Sequence, residues 1–117
     1  MALLLSLTDL PEEFSYPPFF IRVVGLGLTN LEPWWIIEGD VLLMKYQGLR
    51  KRYPTRRLIP FARRQDNDDV ACWDLELARG GVVIIHDFAE PGWERREEMV
   101  SFENWLRRAV EDLIEFE

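Results

Sequence analysis

Three short apolar segments in the second half of the chain most constrain how it can fold. They read LIPF, DVACWDLEL and VVIIHDF, and the last is rich in the β-branched residues that favour strands. The sequence RGG stands between the second and third segments and supplies the glycines that a turn needs. The pattern therefore predicts an antiparallel hairpin from these two segments, with LIPF as a further short apolar run.

The sequence before these strands has helical spacing. Apolar residues follow Pro17 and Pro18 at intervals of three and four, which predicts a short helix near residues 17–28. The stretch DVLLMKYQGLRKRY predicts a second helix, with Asp40 as its N-cap and Pro54 as its stop. The apolar cluster WWII before that helix fits a strand or a helix equally well.

The clearest helix lies at the C-terminal end. Ser101 is a suitable N-cap, and apolar residues follow it at three- and four-residue intervals: Phe102, Trp105, Leu106, Ala109, Leu113 and Phe116. The preceding AEPGWERREE is polar with a Pro-Gly turn and is predicted to be a connection. Helices, strands and a terminal helix predict an α+β fold. We expect a small antiparallel sheet packed against N-terminal and C-terminal helices, in a single domain over residues 1–117.

Composition indicates an ordered chain. With 117 residues, 48% of them hydrophobic, the sequence can build a core, and its net charge of −7 is far from the signature of disorder. The apolar start is too short for a membrane span, and a single cysteine agrees with a reducing compartment. The expected location is the cytoplasm, without a membrane association.

Charge is unevenly distributed along the chain. Residues 41–65 contain no acidic residue and carry +8, so the rest carries −15; the basic residues are Lys45, Arg50, Lys51, Arg52, Arg56, Arg57, Arg63 and Arg64. Together with Tyr46, Tyr53 and Phe61, the segment 45–64 could contact a nucleic-acid backbone and stack bases. The overall pI near 4.8 argues against that class of partner. We therefore favour pairing of these arginines with the acidic residues of both flanks.

The acidic sequence DNDD does not fit a calcium loop. An EF-hand that began at Asp66 would need an oxygen ligand where Val70 stands, a glycine at Ala71 and a glutamate at Leu77. Asp and Asn are also good turn formers, because their short side chains bond their own backbone. The sequence favours a turn, and it predicts neither a metal site nor a cofactor.

The single cysteine and single histidine raise the question of catalysis. A nucleophilic dyad would need Cys72 and His86 within hydrogen-bond reach, with a third group such as Asp87 to orient the histidine. Cys72 stands in the apolar run VACW, where a cysteine is usually a buried and unreactive hydrophobic residue. His86 and Asp87 end a predicted strand and fit a turn there. We therefore expect no catalytic residue and no enzymatic activity.

The order of motifs from residue 58 to residue 117 resembles the SUKH superfamily, which includes yeast Smi/Knr-type cell-wall regulators and many bacterial immunity proteins. The resemblance lies in LIPFARRQDNDDVACWDLE, GGVVIIHDF, GWE and SFENWLRRAVEDLIEF, and residues 1–57 are similar only through LPEEF and the helix after it. Family members commonly carry a glycine in the acidic turn, where this chain has Asn67 and Asp68.

That resemblance implies an α+β domain that binds another protein, and for bacterial members a cognate toxin, often a nuclease. A carboxylate-rich surface would suit a basic partner of this kind. Trp93 is an aromatic residue of the type that anchors interfaces, or a core residue reached by a folded-back loop. The predicted partner-binding face comprises Asp66, Asp68, Asp69, Glu90, Trp93, Glu94, Glu97 and Glu98, all placed in turns or connections. The sequence does not fix the oligomeric state.

Overall fold

A computed structural model describes residues 4–6 and 8–116 of the chain. The described residues form three α-helices and six strands. In chain order these are α1 (Pro18–Gly25), β1 (Asn30–Leu31), β2 (Trp34–Ile36), α2 (Gly39–Arg52), β3 (Leu58–Arg64), β4 (Asp69–Asp74), β5 (Val82–His86), β6 (Arg95–Met99) and α3 (Phe102–Glu115). One short 3-10 helix, Ala78–Gly80, lies between β4 and β5.

The six strands form one antiparallel sheet in which each strand pairs with its neighbours in sequence. Short loops explain the antiparallel pairs β1–β2, β3–β4, β4–β5 and β5–β6, since such loops join antiparallel neighbours and parallel pairs need long crossovers. β2 and β3 are also antiparallel, although α2 lies in their connection. The predicted hairpin is confirmed, with Cys72 opposite Val83 and Asp69 opposite His86. The α+β fold class is likewise confirmed.

Both faces of the central strands are buried, which explains why their sequences are continuously apolar. On the first face Ala71 and Trp73 pack with residues of α1 and α3, among them Phe20, Phe102 and Trp105. The helices at the two ends of the chain therefore cover this face, as the sequence predicts.

The second face of the sheet is formed by the alternate side chains of β4 and β5, which point away from the first face. The C-terminal half of α2 covers this second face. Leu49 and Tyr53 pack there; the cluster also contains Leu58, Val70, Cys72, Val83 and Ile85. This face positions the loop described below, because the loop starts at the end of β5.

Several local predictions change in the structure. The helix near residues 17–28 is present but ends at Gly25, and WWII contains the strand β2. Asp40 is wrong as an N-cap, since α2 begins at Gly39 with Glu38 in the cap position. The segment before α3, predicted to be a polar connection, contains the strand β6.

The start of α3 agrees with its prediction. Ser101 is the N-cap, and its Oγ accepts a hydrogen bond from the backbone N–H of Asn104 at 3.3 Å. At the other end of the helix, Asp112 accepts a hydrogen bond from Trp34 Nε1 at 3.0 Å, which fixes α3 against β2. In the part of the chain that the structure describes, no helix has the length and apolar content needed to cross a membrane.

The aromatic cluster on the first face generates a stability prediction. The Phe61 ring lies 4.6 Å from Trp73 and 4.8 Å from Trp105, measured between centroids, and is fully buried. We expect Phe61→Ala to lower the free energy of unfolding by about 3–5 kcal/mol, because it removes this packing and leaves a cavity.

Urea denaturation measures that loss, and Phe19→Ala is the matched control, since Phe19 is about half exposed. The control should cost much less. Equal losses for the two variants would contradict the assignment of Phe61 to the centre of the core.

Candidate functional site

The connection from β5 to β6 forms a closed loop over residues 87–94, which we call the aromatic loop. The backbone N–H of His86 donates to the carbonyl of Glu94 at 2.7 Å and joins the two ends of the loop. The N–H of Asp87 donates to the carbonyl of Asp68 at 2.9 Å. The aromatic loop therefore starts beside the turn between β3 and β4.

Asp87 anchors the start of this loop through its buried carboxylate. The side chain is fully buried, and Arg52 donates to both of its oxygens, each at 2.7 Å. Lys45 donates to Oδ2 at 2.9 Å. Lys45 and Arg52 stand two turns apart on α2, so the carboxylate joins that helix to the end of β5.

Gly48 makes room for this arrangement. It lies between the two cations on α2, and a Cβ at this position would be 2.7 Å from Arg52 Nη2. Because Cβ atoms do not come this close to other atoms, a larger residue at this position would require the guanidinium to shift.

Opposing effects set the pKa of Asp87. Burial would raise it, but the hydrogen bonds from Arg52 and Lys45 outweigh burial and hold the pKa below its ordinary value. Asp87 is therefore ionised at neutral pH, and its negative charge is matched by two cations. This buried group of three charges is costly to break, because removal of Asp87 leaves the two cations without a counter-charge.

Two further contacts hold the rest of the aromatic loop. Tyr53 Oη donates to the carbonyl of Ala89 at 2.7 Å. Arg56 donates to the buried carboxylate of Glu94, which also accepts from the backbone N–H of Gly92. Burial would raise the pKa of Glu94, but the hydrogen bond from Arg56 and those from the backbone hold it below its usual value. The segment around the end of α2 thus fixes the loop at three points.

Phe88 follows the anchor and points outward in an unusual backbone conformation. Its φ of 69° lies in the left-handed region, where a bulky residue is rare and strained. Asp87 Oδ1 accepts from the N–H of Phe88 at 2.8 Å and stabilises this conformation. The ring is 63% exposed, and the guanidinium of Arg52 lies 4.2 Å from its centroid. The Phe88 side chain is therefore held in place although much of it faces solvent.

Trp93 is the most exposed large hydrophobic residue of the described chain, at 80%. The backbone N–H of Trp93 donates to the carbonyl of Glu90 at 2.9 Å, and the preceding Gly92 has a φ of 102°. This tight turn directs the indole away from the core. Of the two roles considered for Trp93, the structure therefore shows the exposed aromatic and not the core residue.

Five of the seven carboxylates predicted to face a partner are ion-paired within the chain. Asp69 and Glu94 are buried, so the prediction that they belong to an exposed partner-binding face is wrong. The pairs are Asp66 with Arg64, Asp69 with Arg96, Glu94 with Arg56, Glu97 with Arg108, and Glu98 with Arg95. Asp69 begins β4, and Glu97 and Glu98 belong to β6, so these three residues do not lie in turns or connections as predicted.

Asp68 and Glu90 are the remaining two carboxylates. Both are exposed, and within residues 4–6 and 8–116 neither has an ion-pair partner within 4 Å. The predicted turn is confirmed between β3 and β4, where Asn67 Oδ1 accepts from the N–H of Asp69 at 2.8 Å. The acidic turn and the aromatic loop are adjacent at Asp68 and Asp87, so parts of the predicted face do lie together.

Cys72 and His86 do not form a dyad. Cys72 lies on the second face of the sheet, and His86 pairs in register with Asp69 on strand positions that face the other way. Burial raises the pKa of the Cys72 thiol well above its ordinary value. The expectation that Cys72 is buried is confirmed, and the structure keeps it apart from the histidine.

The basic segment is mostly engaged in ion pairs, as the sequence analysis favoured. Lys45, Arg52, Arg56, Arg57 and Arg64 pair with carboxylates from outside the segment, including Glu13, Asp74 and Asp112. Arg50, Lys51 and Arg63 are exposed, and among the described residues no carboxylate lies within 4 Å of them.

Comparisons with family models, with curated proteins and with solved structures found no match to this chain. The functional interpretation of the aromatic loop therefore rests on the geometry of the loop and its supporting contacts.

The buried carboxylate generates the second prediction. We expect Asp87→Asn to lower the free energy of unfolding by about 3 kcal/mol, because Lys45 and Arg52 lose their counter-charge. The matched control is Asp66→Asn, which removes an exposed pair with Arg64 and should cost about 1 kcal/mol or less. Urea denaturation at neutral pH measures both. A loss for Asp87→Asn no larger than that of the control would contradict the role of the buried anchor.

Acid stability follows from the same carboxylates. The folded-state pKa values of Asp87 and Glu94 are lowered, so the unfolded chain, with ordinary values of about 3.9 and 4.3, binds more protons. Their contribution is therefore present above about pH 5 and is lost as the pH falls through the lowered folded values. Unfolding free energies measured from pH 7 to pH 2 should decline less steeply below pH 4 in Asp87→Asn/Glu94→Gln than in the unmodified chain. Parallel declines would show that these groups do not govern acid unfolding.

Proposed function

We propose that this chain is a non-enzymatic, cytoplasmic protein-binding domain of the SUKH type, and that the aromatic loop contacts its partner. The observation that carries the proposal is the combination of exposure and rigid support in that loop. Phe88 and Trp93 are 63% and 80% exposed, while the backbone between them is fixed by Asp87, Tyr53 and Arg56.

Exposed aromatic residues on a fixed loop favour binding for two physical reasons. A buried tryptophan or phenylalanine contributes a large apolar area, and such residues are enriched among those that dominate interface energies. A loop that is already ordered loses little conformational entropy when it binds. The strained φ of Phe88 supports the same proposal, because strain is retained where the surrounding structure and a function require it.

The electrostatics support a basic partner less strongly than the sequence suggested. The net charge of −7 still favours encounter with a positively charged protein. Close to the aromatic loop, however, only Asp68 and Glu90 of the predicted carboxylates lack an ion pair among the described residues. We therefore assign the affinity mainly to the aromatic side chains and the encounter rate to the overall charge.

The resemblance to immunity proteins suggests the kind of partner. We propose a toxin, with a nuclease as the first candidate, because a basic cleft that binds phosphates would suit an acidic protein. Nucleic acid is the alternative partner for segment 45–64. That alternative has less support, since five of the eight basic residues there pair with carboxylates.

The test is affinity capture from the source cell's lysate with the tagged full chain, followed by binding measurements on the captured partner. We expect one stoichiometric protein whose association slows as the salt concentration rises. Trp93→Ala should weaken its binding by about 30-fold or more, because it removes a central aromatic contact.

Trp35→Ala is the matched control, since Trp35 is an exposed tryptophan on β2, outside the aromatic loop. It should leave the affinity unchanged. Equal effects of the two substitutions would remove the aromatic loop from the interface. Recovery of nucleic acid alone, lost when Arg50, Lys51 and Arg63 are neutralised, would replace the proposal with the alternative.

A further inference from the structure

The outer face of α2 carries a stripe of four exposed side chains, which we call the α2 stripe: Asp40, Met44, Gln47 and Lys51. Their spacing of four, three and four residues places them on one side of the helix. The buried residues of α2 lie on the opposite side. Met44, near the middle of the stripe, is 71% exposed, so a large apolar side chain faces solvent there.

The α2 stripe is complementary to itself when two helices run in opposite directions. A two-fold axis midway between Lys45 and Tyr46 sets Asp40 opposite Lys51 of a second copy and Met44 opposite Gln47. At a rise of 1.5 Å per residue, Asp40 and Lys51 each lie about 8 Å from that axis. Both ion pairs can therefore form at once, one at each end of the contact, with each Met44 packed against Gln47 of the other copy near the axis.

The charges of α2 select the antiparallel arrangement. The acidic Asp40 lies in the first turn, and Arg50, Lys51 and Arg52 lie in the last. Antiparallel helices bring acidic against basic ends and oppose their dipoles, whereas parallel helices bring like charges together. Among the described residues, no ion-pair partner lies within 4 Å of Asp40 or Lys51. Both charges are therefore available to a second copy.

We propose that the chain associates with a second copy of itself through the α2 stripe, with the two α2 helices antiparallel about a two-fold axis. Such an interface uses the same patch on both copies. It does not rest on the proposed function, because Trp93 and its supporting contacts are not part of the stripe.

Size and net charge set the expected strength of this dimer. Two 14-residue helices in contact bury less than the roughly 800 Å² per partner of a standard stable interface, so the dimer should dissociate on dilution. The net charge of −7 on each copy opposes association. At physiological ionic strength, however, charges more than about 8 Å apart are largely screened, and the close pairs of the stripe dominate.

Sedimentation velocity of the full chain over a range of concentrations tests the proposal through charge exchange. We expect the unmodified chain to show a monomer–dimer equilibrium. Asp40→Lys and Lys51→Asp should each weaken it by about tenfold or more, since each creates two like-charge contacts. The double variant should regain dimerisation because its pairs are again opposite. A mixture of the two single variants should form a heterodimer for the same reason.

Met44→Lys and Ile114→Lys provide a second test that does not depend on the ion pairs. Met44→Lys should abolish dimerisation, while Ile114→Lys, at a similarly exposed position on α3, should leave it unchanged. Circular dichroism confirms that each variant is folded. A chain that stays monomeric at all concentrations would overturn the proposal. So would single variants that dimerise like the unmodified chain, or a mixture of them that fails to associate.

Discussion

The buried carboxylate of Asp87 is the interaction on which the rest of the candidate site depends. It joins Lys45 and Arg52 of α2 to the end of β5 and accepts from the backbone of Phe88. Without the Asp87 carboxylate, α2 would lose its link to the aromatic loop. The left-handed backbone at Phe88 would also lose its stabilising hydrogen bond. One carboxylate thus couples a helix, a strand and an exposed aromatic side chain.

This coupling gives the uneven charge of the sequence a structural meaning. The basic segment supplies cations that hold carboxylates from distant parts of the chain, so positive and negative regions neutralise each other within the fold. Arg56 shows the consequence, because it buries Glu94 and with it the end of the aromatic loop. The polar network therefore positions the exposed aromatic residues instead of presenting a broad charged surface.

Local patterns in the sequence predict much of the fold, because the strands β4 and β5 and the helix α3 are specified by their own apolar spacing and by the Ser101 cap. The strand β6 could not be predicted in this way. Its sequence RREEM has no apolar alternation, and pairing with β5 makes it a strand. Strand formation there depends on a neighbour and not on intrinsic preference.

The candidate site shows the same limit more clearly. The acidic turn and the position of Trp93 in a loop follow from local residue types. Lys45 and Arg52, in contrast, stand 42 and 35 residues before Asp87, and no local pattern links a cation to a carboxylate at such a distance. The burial of Glu94 has the same origin. Only the packing of α2 against the sheet brings these groups together, so the ion pairs that hold the aromatic loop can be seen only in the tertiary structure.

The most direct test of the central claim is the backbone mobility of residues 87–94, measured by ¹⁵N relaxation and amide hydrogen exchange. If the contacts of Asp87, Tyr53 and Arg56 hold the loop, its backbone amides should be as ordered as those of the strands. The amides of Phe88, Ala89 and Trp93 should then show order parameters of about 0.85 and slowed hydrogen exchange. Order parameters below about 0.6 and exchange at the rate of an open chain would contradict it, since the aromatic side chains would then lie on a loop that is not preorganised.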